Sequence, residues 1–166
     1  MPVIRLQTLI NAPVPVVFDL SRSIDLHKIS TAQTNEEAIA GTTSGLIALG
    51  ESVTWKARHF GIVQTLTSKI TEFEKPHHFT DEMVSGAFDR FKHKHIFKED
   101  NGATLMTDIF DYTGPYGVFG RIADVFFLKR YMTNLLAERN RIVKEYAEDK
   151  NKYLQLIGEI SNSPKI

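Results

Sequence analysis

Residues 91–97, Phe-Lys-His-Lys-His-Ile-Phe, carry two imidazoles at positions i and i+2. In a β-strand that spacing puts both on one face. The shared face is Phe91, His93, His95 and Phe97, while Lys92, Lys94, Ile96 and Lys98 take the other. Histidine changes charge near neutral pH and serves as a proton carrier or metal ligand. Two aspartates fall on similar strand faces: Asp81 with Phe79 and Met83, and Asp108 with Met106, Phe110 and Tyr112. A buried carboxylate is costly alone and tolerable beside a hydrogen-bonding imidazole. A polar cluster inside an apolar shell is the usual make-up of a small-molecule pocket. The same pairs serve equally well as a structural polar network beneath a sheet.

His93 and His95 with one carboxylate also match a two-histidine, one-carboxylate metal set. An alternating strand produces that pattern easily by chance, and His59 is the sole candidate for a third imidazole. The expectation is no metal and no cofactor. Other chemistries are excluded more firmly. The chain has no cysteine, which removes disulfides, thiolate catalysis and cysteine-based zinc sites. "GTTSGLIALG" (41–50) lacks the Lys-Ser/Thr of a phosphate-binding loop, and no G-x-S-x-G elbow occurs. Twenty basic and twenty acidic residues cancel, which weakens a nucleic-acid reading. Arg90, Lys92, Lys94 and Lys98 read as a wet outer sheet face, and His77 and His78 as a solvated turn after Pro76.

These side chains need strands to position them. Val3–Ile10 is a first strand, and Asn11-Ala-Pro13 opens two short helical pieces, 14–20 and 24–29. Strands follow at 34–41, 53–60, 62–73, 79–84, 88–98 and 103–113, with Asp100-Asn-Gly102 as a hairpin turn. From about Val118 the apolar period becomes helical, predicting a helix of roughly 30 residues. The order gives an α+β plan: seven antiparallel strands, segregated helices and a space between sheet and long helix. Residues 1–150 read as one domain and 151–166 as a tail, amphipathic and then frayed. With 166 residues, 42% hydrophobic, the chain can bury a sizeable core. No run is long enough for a membrane span, and the first residues lack a signal-peptide core, so the expectation is a soluble, cytoplasmic protein, monomer or homodimer.

Three segments, "GLIALGESVTWKARHFG" (45–61), "HFTDEMVSGAFDRFKHKHIF" (78–97) and "GATLMTDIFDYTGPYGVFG" (102–120), resemble the START-like or SRPBCC superfamily, which includes Bet v 1-like proteins and polyketide cyclases/dehydrases. The likeness is nearest its bacterial CoxG-like, cell-division-inhibitor-like branch and runs over about residues 3–147. It implies a helix-grip fold, a seven-stranded curved sheet around a C-terminal helix, with a ligand cavity between them. The Cys/His cluster of its Rieske oxygenases is missing here.

Strand parity within that fold predicts the ligand contacts. They are Trp55 and His59 on 53–60, Asp81 and Met83 on 79–84, Phe91, His93 and His95 on 91–97, and Asp108, Phe110 and Tyr112 on 104–112. Phe126 is added from the helix. Three functions stay open. The first is non-catalytic binding of an apolar or aromatic small molecule. The second is a cyclase- or dehydratase-like enzyme with a His–Asp proton-transfer pair. The third is a protein-interaction module with a filled interior.

Overall fold

β1 (Val3–Ile10) forms one edge of a seven-stranded antiparallel sheet. The structure, a computed structural model, describes residues 2–114 and 127–162. After β1 come α1 (Val14–Ser21), α2 (Ile24–Ser30) and a single 3₁₀ turn, Ala32–Thr34. Then follow β2 (Glu37–Gly41), β3 (Ser52–His59), β4 (Ile62–Glu74), β5 (His78–Ser85), β6 (Arg90–Asp100) and β7 (Ala103–Thr113). α3 (Lys129–Glu148) and α4 (Lys150–Asn162) close the described chain. Strand order is β1-β7-β6-β5-β4-β3-β2, so consecutive strands from β2 to β7 pair in sequence order and β1 pairs with β7.

Local chemistry sets the boundaries. Pro15 sits in the first turn of α1, where its missing N–H costs nothing. Ser23 caps α2 by accepting the Leu26 amide at 3.2 Å. Asn101 and Gly102 both take positive φ, 51° and 84°, and pair Asp100 with Ala103 in a tight hairpin. Asp149 leaves helical geometry, ends α3, and caps α4 by accepting the Asn151 and Lys152 amides. α4 carries Leu156 into the core, with Tyr153 packed beside it.

The core lies on the concave face in two apolar clusters. One centres on Phe18, whose ring meets Phe73, Phe79 and Phe97 edge-on at 5.4–5.6 Å. The other joins Ile4, Phe91, Phe110, Tyr112 and Leu136. The outer face behaves as its lysines predict. Lys92 and Lys94 donate to Glu72, and Arg90 to Asp111. In the 41–51 loop Ile47 is buried while Leu49 is exposed, which fits a packed loop. Among the described residues no helix is long and apolar enough to cross a membrane.

Candidate functional site

The register of β5, β6 and β7 arranges acids, imidazoles and phenyl rings as a checkerboard. One cross-strand row reads Asp81, His93, Phe110; the next reads Phe79, His95, Asp108. Each imidazole thus has a carboxylate on one side and a phenyl ring on the other, in opposite order. His95 stacks on Phe79 with centroids 4.3 Å apart, and His93 meets Phe110 edge-on at 5.3 Å. The histidines therefore bridge the two apolar clusters, which is why they occupy the aromatic face.

The polar contacts run along the diagonals as well. His93 Nε2 lies 3.1 Å from Asp108 Oδ1, and His95 Nε2 lies 3.1 Å from Asp81 Oδ1. His95 Nδ1 is 2.8 Å from Asp108 Oδ1 but lacks the alignment of a hydrogen bond. Asp108 is held from the helix side. Asn140 Nδ2 donates to its Oδ2 at 2.7 Å, and Arg139 reaches its Oδ1 at 3.5 Å while donating to the Ser21 carbonyl at 2.8 Å. Burial alone pushes the Asp108 carboxyl up, but His93, His95 and Arg139 hold it well below the ordinary range. Asp81 follows the same pattern: burial raises it, and the His95 bond with the His93 and Arg139 charges brings it below normal. Burial, reinforced by His95, pushes His93 below the usual imidazole value against the pull of Asp108 and Asp81.

Two neighbouring spaces, with Trp55, Asp81, His93 and Arg139 in the walls of both, lie over this checkerboard. The larger encloses about 480 Å³ between the sheet and α3, and a smaller one of about 110 Å³ lies at Asp81, His93 and His95. Of the residues chosen by parity, Trp55, His59, Asp81, Phe91, His93 and Phe110 line the larger space. His95 faces only the smaller one. Three expected contacts sit elsewhere. Asp108 is 1% exposed and Tyr112 fully buried, so both lie beneath the walls. Their strand sits between β1 and β6, and α3 packs over that end of the sheet at β1. Met83 is half-buried against the second apolar cluster and lines neither space. Phe126 lies outside the described residues.

The structure adds polar groups that parity does not find. His27 meets Trp55 in a tilted ring contact with centroids 4.3 Å apart, and Glu36 Oε1 lies 3.5 Å from its Nε2. His59 Nδ1 lies 2.8 Å from the Tyr131 hydroxyl. All five line the larger space. Burial pushes Glu36 up, yet His27 and His59 hold it below the normal carboxylate value. Burial pushes His59 down, with Glu36 opposing. Arg139, Leu136 and Met132 supply the helical wall.

Solved structures share this architecture. The protein TTHA0849 from Thermus thermophilus superposes with a TM-score of 0.72 at 16% identity, over 98% of this chain and 100% of that one. Ginseng major latex-like protein 151 from Panax ginseng gives 0.65 at 16% identity, over 89% and 98%. Protein Ms6760 from Mycobacterium smegmatis gives 0.62 at 17%, over 86% and 88%. This is the helix-grip fold. The likeness agrees with the START-like resemblance at the level of the superfamily fold, and the finer CoxG-like branch finds no support in it. No family model matches the chain, and no curated protein matches it.

Proposed function

We propose that the protein binds an apolar or aromatic small molecule between the sheet and α3, without transforming it. The observation carrying this reading is the space of about 480 Å³ walled mainly by aromatic and aliphatic side chains. Ligand pockets span roughly 300–1,000 Å³ and combine apolar walls with a few placed polar groups. Trp55, Phe88, Phe91 and Phe110 supply contact area, and Asp81 and His93 offer a polar end. An apolar ligand takes these aromatic and aliphatic walls out of water, which is favourable by about 25 cal/mol per Å² of apolar surface buried. An open cavity of this size counts against the interaction-module reading, which needs a filled interior.

The test is displacement. An environment-sensitive apolar dye should bind the full chain near one equivalent and leave on addition of a fatty acid or an aromatic competitor. Native mass spectrometry should then show one competitor molecule of unchanged mass per chain. Failure of dye and competitors to bind overturns the reading. Binding followed by a mass change in the competitor would move the protein to the proton-transfer alternative, with His93 and Asp108 as the pair.

A further inference from the structure

We propose that Asp81, His93 and His95 are the protein ligands of a divalent transition-metal site bordering the smaller space. The donor atoms already converge. His95 Nε2 lies 3.1 Å and His93 Nδ1 3.9 Å from one oxygen, Asp81 Oδ1, and the three donors fall within 4.8 Å of one another. Metal–nitrogen and metal–oxygen bonds of about 2.0–2.2 Å put donors of one shell roughly 3–3.5 Å apart. Small side-chain shifts bring these three to that spacing.

Proton counting favours an ion over hydrogen bonds alone. The two rings present four nitrogens to two carboxylate oxygens, at 3.1 and 3.9 Å for His93 and 3.1 and 2.8 Å for His95. A neutral imidazole carries one N–H. With both rings neutral, two bare nitrogen lone pairs therefore face carboxylate oxygens. A cation shared by Asp81 Oδ1, His93 Nδ1 and His95 Nε2 uses both lone pairs. Each ring proton then sits on the nitrogen beside Asp108: His93 Nε2 makes the carboxylate–histidine–metal hydrogen bond that orients ligating imidazoles, and His95 Nδ1, 2.8 Å away, reaches it after a small ring rotation. Charge agrees: the cluster holds two carboxylates and one guanidinium, Arg139, leaving one negative charge for a cation to offset.

Two nitrogens and one oxygen suit zinc or iron(II) better than magnesium or calcium. All three ligands border the 110 Å³ space, so the remaining coordination positions face water or a bound molecule. The inference is independent of the cavity reading, because the probe is the metal alone.

The experiment titrates chelator-treated full-length protein with zinc chloride by calorimetry, and with cobalt(II) followed by visible absorption and NMR. One equivalent should bind. Asp81→Asn should weaken binding at least a hundredfold, beyond the roughly 10–100-fold typical of lost outer-shell partners. The double variant His77→Gln/His78→Gln should bind as the native chain does. Cobalt(II) should also shift the imidazole resonances of His93 and His95 in the native protein, a readout that needs no variant to fold. No saturable site, a site undiminished by Asp81→Asn, or one lost with His77 and His78 overturns the proposal.

Discussion

His93 Nε2 sits 3.1 Å from Asp108 Oδ1, and neither side chain has more than 8% of its surface exposed. Asp108 also takes Asn140 and Arg139 from α3, so one carboxylate ties β7 to the helix. The tie fixes how far α3 stands from the sheet and keeps a buried guanidinium paired.

Removing that carboxylate should therefore be costly. Asp108→Ala leaves Arg139 buried without an acidic partner at this point, and breaking a buried pair costs about 3–5 kcal/mol. Urea denaturation of native and variant protein checks it. A loss below about 1 kcal/mol would show that solvent or another group readily replaces Asp108.

The outer face supplies a pH dependence. Bonds from Lys92, Thr80 and Lys94 hold Glu72 at about 2, below its ordinary 4.5. A depressed carboxylate stabilises the fold above its unfolded value and loses that contribution as pH falls through the folded one. Glu72 should therefore stabilise fully above about pH 4.5 and progressively less toward pH 2. The side chain is 38% exposed, so the effect should stay below about 1 kcal/mol. Glu72→Gln should flatten the melting temperature across that window, and an unchanged slope would contradict the assignment.

Two glycines at positive φ should respond differently to a methyl group. Gly102, at φ 84°, has open space where a Cβ would stand. Gly102→Ala should cost about 1–2 kcal/mol from backbone strain alone. Gly41, at φ 75°, would place a Cβ 2.1 Å from the Ser52 carbonyl oxygen, so β2 must move off β3. Gly41→Ala should cost clearly more, and equal losses in thermal unfolding would contradict the packing at that edge.

Much of this is legible in the residues themselves. Period-two alternation places His93 and His95 inward because a strand has two faces and one is aromatic. Parity gives the face but not the depth, so it counts Asp108 and Tyr112 as contacts although both lie beneath the walls. Arg139 and Asn140 escape it because charged and amide side chains on a helix normally read as solvated. Their signal is present: 139 and 140 continue the stripe of Leu136 and of Ile142 and Val143 at helical spacing. Glu36 offers no such signal beside Glu37, since burial there depends on the His27–Trp55 contact across the cavity wall. In sequence the two-histidine, one-carboxylate pattern carries little weight, because alternation produces it by chance. What changes the weight is the second carboxylate, Asp108, on the far nitrogens, which the Asn101-Gly102 hairpin register sets opposite His95.

Trp55 offers the most direct measurement of cavity binding. It is the sole tryptophan and borders both spaces over the sheet, so its fluorescence reports binding there without interference from other indoles. Titration with a non-absorbing fatty acid should change its emission saturably near one equivalent. Ala57, buried next along the same strand face, also lines the larger space, and Ala57→Phe should fill it. The variant should melt cooperatively and lose the fluorescence response by at least about tenfold in affinity, equivalent to about 1.4 kcal/mol. A ligand that binds by mass spectrometry while Trp55 emission stays constant, or one that binds Ala57→Phe as tightly as the native chain, would place binding outside the cavity and contradict the proposed function.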